Sequence, residues 1–341
     1  MNILVTGAHG QLGEEIRRAV EKIGNGKPDH YVGDPNYYIF TGHKNLDYTK
    51  RLDITNEEEV TEFVKKNSIN VIVNCAAYTD VDKAQTDREA AYNVNALGPM
   101  YLALAAKEVG AVLIHISTDY VFGGKYDSPL PPISQMNQNF VPVEGNKCYY
   151  GYSKMIGEDL IEHSGCKYII IRTSWVYSSH HKNFVKTMYA LSLASRDAKV
   201  VNDQIGSPTS AKDLADFIVH IIENNNSDTR YLSKQGIYNF ADKGQTSWYE
   251  LAKCVFRKNE FVSPCSSDEY PTPVERPKYS VLDTTLTEEV FDYKIPVWTE
   301  SLIRVLNELD TIEYKRKEIL ELENTEFSFG HNVCVKEKEE L

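Results

Sequence analysis

Residues 2–13 read Asn2-Ile-Leu-Val-Thr-Gly-Ala-His-Gly-Gln-Leu-Gly13, and this stretch decides the fold. An apolar run of strand length ends at Gly7. Apolar residues then recur at the spacing of a helix, at Leu12, Ile16, Ala19, Val20 and Ile23. A strand that passes through a glycine turn into a helix is the setting in which a dinucleotide binds, because glycines let the backbone approach a pyrophosphate and a helix N-terminus offers free N–H groups. The alternative interpretation of Gly-x-x-Gly-x-x-Gly is a tight turn without a ligand.

The rest of the first half repeats the strand-helix alternation. Further strands are predicted near 37–41, 71–77, 111–116 and 167–172, and long helices near 86–109 and 150–163. This order predicts an α/β fold with a doubly wound, parallel sheet of the Rossmann type. Beyond residue 173 the elements are shorter and mixed, which predicts a smaller mixed α/β lobe at the C-terminal end.

We expect three regions along the chain. A dinucleotide-binding domain covers residues 1–172, and about 198–235 pack back onto it. A substrate-binding lobe takes about 173–197 and 236–312. The strongly charged stretch 313–341 is expected to continue a helix and then form a tail.

Bulk properties narrow the function. The chain has 341 residues and a formal net charge of −12, which argues against a general nucleic-acid surface. The sequence has no signal-peptide pattern and no apolar run long enough for a membrane span, so we expect a cytoplasmic protein. Its six cysteines form no Cys-x-x-Cys pair and are expected to be free thiols.

Two Tyr-x-x-x-Lys pairs are candidates for proton transfer. Tyr150 stands four residues before Lys154 in a predicted helix, so the two side chains share one face. A nearby ammonium stabilises a phenolate and lowers the pKa of the phenol. Tyr249 and Lys253 have the same spacing in an ordinary amphipathic helix. The hydroxyl of Thr118 favours the first pair, because Thr118 follows a central strand at the edge where ligands bind.

Smaller features indicate how a cofactor would lie. Gly42-His43-Lys44 follows the second strand where many related folds place an acid that binds the ribose 2′-hydroxyl. Cationic groups there would tolerate a 2′-phosphate, so we predict NADPH and keep NADH as an alternative. Asn93 and Asn95, within the helix at 86–109, are interpreted as structural hydrogen bonders and not as catalysts.

Seven blocks then recur in one order and resemble a known family. They are Thr6–Gly13, Asn74–Lys83, Ser117–Phe122, Tyr150–Lys154, Arg172–Tyr177, Asp203–Thr209 and Arg276–Asp283. Over roughly residues 1–310 the chain resembles the dTDP-4-dehydrorhamnose reductases, which belong to the extended short-chain dehydrogenase/reductases. The resemblance implies reduction of the C4 ketone of dTDP-4-dehydro-L-rhamnose, the last step of dTDP-L-rhamnose synthesis.

The resemblance also implies roles for residues. Tyr150 would protonate the developing alkoxide, Lys154 would lower the pKa of Tyr150 and hold the nicotinamide ribose, and Thr118 would bind the substrate oxygen. Cofactor contacts would fall on Gly7, His9, Gly10, Gln11, Leu12, Asp53, Ile54, Ala76, Ala77, Tyr78, Tyr150 and Lys154. Substrate contacts would fall on Val81, Thr118, Asp119 and Trp175.

The same resemblance indicates a candidate assembly and leaves two alternative functions open. Some family members bridge a dimer through Mg²⁺, so a homodimer is a candidate assembly. Glu15 matches one ligand position, but Ser-Ala-Lys-Asp follows Thr209 where a second ligand would be needed, so we predict no metal. The alternatives are another sugar-nucleotide epimerase or dehydratase on this scaffold, or a non-catalytic regulatory subunit resembling that of methionine adenosyltransferase.

Overall fold

The structure is a computed structural model that describes residues 1–24, 36–44, 48–123, 148–225, 228 and 230–330, with side chains up to residue 315. Residues 331–341, the end of the predicted tail, and Cys334 lie outside the described residues. The five cysteines among the described residues (Cys75, Cys148, Cys166, Cys254 and Cys265) are free thiols, as expected.

The strands alternate with helices along the first half of the chain. The strands are β1 (Asn2–Thr6), β2 (Tyr37–Gly42), β3 (Lys50–Arg51), β4 (Val71–Asn74), β5 (Val112–Thr118), β6 (Lys167–Thr173), β7 (Val176–Tyr177), β8 (Ala198–Val201), β9 (Ile205–Gly206), β10 (Thr209–Ser210), β11 (Gly236–Asn239), β12 (Thr246–Ser247), β13 (Val262–Cys265) and β14 (Tyr279–Ser280). The α-helices are α1 (Gln11–Ile23), α2 (Glu57–Lys66), α3 (Arg88–Tyr92), α4 (Gly98–Val109), α5 (Tyr149–Ser164), α6 (Phe184–Leu193), α7 (Ala211–Glu223), α8 (Trp248–Val255), α9 (Thr285–Phe291) and α10 (Trp298–Gly330).

The central sheet has seven strands in the order β11-β6-β5-β4-β1-β2-β3, and every neighbouring pair is parallel. The predicted doubly wound parallel sheet is therefore confirmed. The chain moves outward from β1 to β2 and β3, and then crosses back to β4 on the other side. At such a switch the loops leave a crevice at the carboxyl ends of the strands, where ligands bind in this fold class.

Both faces of the sheet are covered by apolar helix surfaces. On one face, Ile3 and Val5 of β1 pack with Ile16 of α1 and Phe217 of α7. On the other face, Leu4 packs with residues of α2 and α4. Because a parallel strand buries both of its faces, β1 reads as a continuous apolar run and not as an alternating one.

A second core forms the smaller lobe. Residues from α6, β8, α8 and β13 bury their side chains with the first turns of α10; examples are Met188, Val200, Leu251 and Leu302. The helix continuation expected in the charged stretch after residue 313 is present, because α10 runs to Gly330. The helix predicted at 86–109 is divided into α3, a π-helical turn at Asn93–Leu97 and α4. No helix among the described residues is both long and apolar enough to cross a lipid bilayer.

Candidate active site in the interlobe crevice

A single cavity of about 920 Å³ runs from the glycine turn to the smaller lobe. Its walls include the N-terminus of α1, the carboxyl ends of β5 and β6 and the first turns of α5. Eleven of the predicted site residues line it: His9, Gly10, Gln11, Leu12, Ala77, Val81, Thr118, Asp119, Tyr150, Lys154 and Trp175. Catalytic, cofactor and substrate candidates therefore face one space.

The glycine turn is packed too closely for side chains. Gly7 has a φ of 66°, and a Cβ there would lie 2.6 Å from the backbone nitrogen of Ala76. A Cβ on Gly13 would lie 2.4 Å from the carbonyl oxygen of Gly7. Gly10, the residue before α1, has no side chain to cap the helix, so among the described residues the N–H groups of the first turn are available to an anion. The arrangement is what a pyrophosphate requires.

Five predicted cofactor residues do not line the cavity: Gly7, Asp53, Ile54, Ala76 and Tyr78. Gly7 and Ala76 pack against each other beneath the turn. The carboxylate of Asp53 accepts hydrogen bonds from the backbone N–H and the hydroxyl of Thr55, at 3.0 and 2.7 Å. The hydroxyl of Tyr78 donates to Asp87 at 3.1 Å. Their cofactor roles stay predictions.

The hydroxyls of Thr118 and Tyr150 meet where β5 ends. The two side chains lie close enough to interact, and the Thr118 hydroxyl donates to Asp119 at 3.0 Å. Tyr150 lies at the start of α5, where the Cys148 thiol accepts a hydrogen bond from the N–H of Gly151 at 3.4 Å. Burial raises the pKa of Tyr150 above its ordinary value, and the nearby Thr118 hydroxyl opposes that rise.

Lys154 lies one turn further along α5 and is only 1% exposed. Its Nζ donates to the carbonyl oxygen of Ile116 at 2.6 Å. Burial lowers the pKa of Lys154 to about 8. The sequence predicted that Lys154 lowers the pKa of Tyr150. In this structure the pKa of Tyr150 is raised instead, because burial disfavours both the phenolate of Tyr150 and the ammonium of Lys154. The catalytic roles of Thr118, Tyr150 and Lys154 stay predictions.

Two polar residues beneath the site were missed by sequence reasoning. His115 of β5 lies with its Nε2 3.2 Å from the Nζ of Lys154 and its Nδ1 3.0 Å from the Nδ2 of Asn74. Both residues are completely buried. The signal was a histidine inside an otherwise apolar strand, which requires a partner once it is buried.

Asn95 is the structural hydrogen bonder that the sequence indicated. Its amide accepts from the N–H of Tyr78 at 2.8 Å, donates to the carbonyl of Tyr78 at 3.0 Å, and donates to Ser153 at 3.1 Å. It therefore fixes the loop after β4 against α5, which carries Tyr150. The π-helical turn brings the Asn95 backbone against Gly157, where a Cβ would lie 2.1 Å from the Asn95 carbonyl oxygen.

The wall on the smaller-lobe side is aromatic. Trp175 has a φ of 48° and stacks on Trp248, with ring centroids 3.6 Å apart and planes 12° from parallel. A Cβ on Gly206 would lie 2.5 Å from the Trp175 ring, so the turn at 203–209 must be glycine at that position. Trp248 was not predicted, because nothing local to it marks a site.

An ion pair lies beside the cavity, which Arg276 lines. Arg276 Nη2 lies 2.6 Å from Asp82 Oδ2 and joins the loop after β4 to the smaller lobe. The rival pair is elsewhere: neither Tyr249 nor Lys253 is among the described residues that line the cavity. Lys253 lies over the Tyr249 ring at 5.3 Å and pairs with Glu250 at 3.2 Å, as expected for a solvated helix face.

Glu15, His180 and Glu308 have ligand atoms within 4.8 Å of one another. Arg18 pairs with Glu308 at 2.5 Å, so one carboxylate already has a cationic partner. Burial raises the pKa of Glu15 to about 7. The prediction of no metal stays a prediction.

The fold and this crevice define the class: a Rossmann-type oxidoreductase of the extended short-chain dehydrogenase/reductases. The family described as "RmlD substrate binding domain" matches residues 1–311. A dTDP-4-dehydrorhamnose reductase from Escherichia coli K12 is 36% identical over 91% of this chain and 99% of its own length. The chain belongs to the dTDP-4-dehydrorhamnose reductase family.

Other relatives support the same family assignment. The spore coat polysaccharide biosynthesis protein SpsK of Bacillus subtilis is 34% identical over 90% of this chain and 97% of its own length. The crystal structure of a dTDP-4-dehydrorhamnose reductase from Clostridium acetobutylicum has a TM-score of 0.76 at 37% identity, covering 91% of this chain and all of that one. That of the Bacillus anthracis enzyme, in complex with NADP, has a TM-score of 0.74 at 33% identity, covering 90% and 99%.

Proposed function

We propose that this protein reduces the C4 ketone of dTDP-4-dehydro-L-rhamnose with NADPH and so makes dTDP-L-rhamnose, the last step of dTDP-rhamnose biosynthesis. The observation that carries the proposal is the neighbouring pair of Tyr150 and Thr118, which faces the same cavity as the glycine turn. The family supplies the substrate, and the named relatives are reductases of this sugar nucleotide.

Tyr150 and Thr118 have separate roles in the proposed reduction. The cofactor, when bound, supplies the hydride. Tyr150 donates a proton to the oxygen at C4, and Thr118 binds the same oxygen. Burial raises the pKa of Tyr150, but an alkoxide is a stronger base than a phenolate, so the proton still moves toward the substrate. Both hydroxyls stabilise negative charge as it forms.

The glycine turn would hold the pyrophosphate, with Gly7, Gly10 and the N–H groups of Gln11 and Leu12. The end of β2 supports NADPH over NADH, because His43 and Lys44 follow it and the carboxylate of Asp53 is already bound to Thr55. We expect kcat/KM with NADPH to equal or exceed that with NADH. A clear preference for NADH would contradict the interpretation of Gly42–Lys44.

Substrate contacts fall on the other wall of the crevice. The indole face of Trp175 supplies an apolar surface for the sugar nucleotide, and Val81 lies across the cavity from the smaller lobe. Asp119 is buried and is held by Thr118 and Ser280, so we assign it to positioning Thr118 next to the substrate. A tyrosine, Tyr120, follows it, and the acidic pair common in dehydratases is not in the sequence at this point.

The decisive experiment is NADPH oxidation with enzymatically made dTDP-4-dehydro-L-rhamnose. We expect stoichiometric oxidation by the wild type and loss of most turnover in Tyr150→Phe, with NADPH binding retained. Tyr249→Phe is the matched control and should be near wild type. Equal behaviour of the two variants would show that the wrong pair was chosen.

The same assay separates the alternatives. An epimerase or dehydratase recycles its cofactor and gives no net oxidation of NADPH. A regulatory subunit gives none either, and it forms a stable complex with a methionine adenosyltransferase. Sugar product without net oxidation, or such a complex, would replace the proposal.

Four further expectations belong to this proposal. The binding domain comprises 1–172 with about 198–235, and the packing of α7 with α1 supports that grouping. The substrate lobe comprises about 173–197 and 236–312. We expect a homodimer, as in some relatives, and a cytoplasmic location, because charged nucleotides such as NADPH and dTDP-sugars do not cross membranes unaided.

A further inference from the structure

Below the reacting groups lies a buried polar chain that the roles given above do not use. It runs from the N–H of Ala76 through Asn74 and His115 to Lys154, and from there to the carbonyl of Ile116. Asn74, His115 and Lys154 are at most 1% exposed. In such a place each hydrogen must have a definite position, because an unmatched donor or acceptor is costly.

The orientation of the Asn74 amide is fixed by a group that can only donate. The backbone N–H of Ala76 points at Asn74 Oδ1 at 3.2 Å, and the hydroxyl of Thr6 donates to the same oxygen at 2.6 Å. A flipped amide would set its NH₂ against the Ala76 N–H. The Nδ2 of Asn74 therefore faces His115.

That orientation fixes the tautomer of His115. An amide NH₂ only donates, so the Nδ1 of His115, 3.0 Å away, must be the acceptor. A neutral imidazole with a bare Nδ1 carries its proton on Nε2. The Nε2–H then points at the Nζ of Lys154, 3.2 Å away.

An N–H that points at an ammonium places two hydrogen-bond donors against each other with no acceptor between them. Aimed at a neutral amine it makes a hydrogen bond to the nitrogen lone pair, while the amine still donates to the Ile116 carbonyl at 2.6 Å. The described groups charged or titratable around Lys154 are Tyr150 and Glu158 on its own helix, Cys75 after β4, and His115 on β5. Glu158 is already paired with Arg172 of β6, with Oε1 2.9 Å from Nε.

We propose that His115 is a positioning residue which, in the tautomer imposed by Asn74, favours the neutral form of Lys154 and sets its proton exchange close to the working pH. This role rests on the proposed reductase function. An amine that gains and loses its proton near neutrality is suited to resupply the proton that Tyr150 gives to the substrate. The burial of Lys154 acts in the same direction.

The tautomer is tested on the wild-type protein without any substrate. In protein labelled with ¹⁵N-histidine, the imidazole nitrogen shifts distinguish a protonated nitrogen from a bare one. We expect His115 to have a bare Nδ1 and a protonated Nε2. A proton on Nδ1 overturns the proposal.

The effect on Lys154 is tested by following its ¹³Cε resonance with pH, assigned with Lys154→Met. In His115→Gln the side-chain carbonyl can turn toward Lys154 and accept from the ammonium, so the titration midpoint should rise by about one unit or more. His115→Phe separates the two effects, because it removes the Nε2–H and offers no acceptor, so its midpoint should also rise but by less than in His115→Gln. An unchanged midpoint in either variant overturns the proposal, because removal of the Nε2–H would then have no effect on Lys154.

The link to turnover is read from the pH profile of kcat/KM. Reduction consumes a proton, so the rate falls as pH rises through the pKa of Lys154, and in His115→Gln this limb should move upward with the NMR midpoint. An unmoved limb in a variant whose midpoint has moved overturns the catalytic part of the proposal. A wild type that gives the expected spectra but does not oxidise NADPH would refute the proposed function and leave the tautomer assignment standing. If His115→Gln does not fold, the wild-type tautomer measurement decides.

Discussion

Replacing Gly7 with alanine separates a cofactor cradle from an ordinary tight turn. Gly7 has a φ of 66°, which costs an L-residue about 1 kcal/mol. The new Cβ would also lie 2.6 Å from the nitrogen of Ala76 and 2.7 Å from the carbonyl carbon of Cys75. Both are backbone atoms that cannot rotate away, so overpacking adds about 1–3 kcal/mol. We expect Gly7→Ala to lose about 2–4 kcal/mol of unfolding free energy.

Gly110 supplies a matched control for the backbone term. Its φ is 72°, yet a Cβ there would meet nothing within 4 Å. Gly110→Ala should therefore lose only the conformational cost, about 1 kcal/mol. Urea unfolding of the two variants against wild type isolates the steric cost as the difference between them.

NADPH binding tests whether the turn is functional. The clash at Gly7 must move the turn or the loop after β4, and a shift of the turn misplaces the N–H groups before α1. We expect the dissociation constant for NADPH to rise at least tenfold in Gly7→Ala, about 1.4 kcal/mol, and to stay at the wild-type value in Gly110→Ala. Equal stability losses with unchanged NADPH affinity in both variants would refute the assignment of this turn to the cofactor.

Three further changes have definite outcomes. Gly206→Ala places a Cβ 2.5 Å from the Trp175 ring, so KM for the sugar nucleotide should rise several-fold while NADPH affinity is kept; unchanged kinetics would remove Trp175 from the substrate wall. Glu158→Gln leaves the buried guanidinium of Arg172 without its anion and should cost about 3–5 kcal/mol in urea unfolding, a loss that a solvent-exposed pair would not give. Glu15 has a folded pKa of about 7, above its unfolded value, so its contribution to stability is present below pH 4.5 and lost as pH rises through 7. Glu15→Gln should therefore be more stable than wild type by about 2 kcal/mol at pH 8 and nearly equal to it at pH 4. The same difference in unfolding free energy at both pH values would contradict this.

Sequence reasoning predicted the features that are encoded locally. The order of strands followed from apolar runs and the glycine turn, and the choice of Tyr150 over Tyr249 followed from its place after β5. The end of a charged helix is harder to predict: the stretch 313–341 was expected to continue a helix and then form a tail, but the residue where the helix ends was not predicted, and α10 continues to Gly330. Charge patterning alone does not distinguish a solvated helix from a tail.

The contacts that the sequence did not predict join residues far apart in the chain. His115 meets Lys154 across 39 positions, and Arg276 meets Asp82 across 194. No periodicity relates such pairs, since each depends on which strand ends become neighbours after the sheet has formed. The buried histidine in β5 indicated that a partner was needed, but the sequence did not name Asn74 or Lys154.

The crevice must be built from both lobes for a chemical reason. Hydride transfer requires direct contact between the reacting carbons, so the cofactor wall and the sugar wall have to enclose one volume and keep water out of it. The hydrogen bonds follow this requirement: Gln11, at the first position of α1, accepts from Ser178 and Asn183 of the second lobe at 2.9 Å each. The turn that would hold the pyrophosphate is thus tied directly to the segment that follows Trp175. A change that loosens this tie should impair the meeting of the two ligands more than the binding of either one, which would lower kcat with little change in the affinity for NADPH.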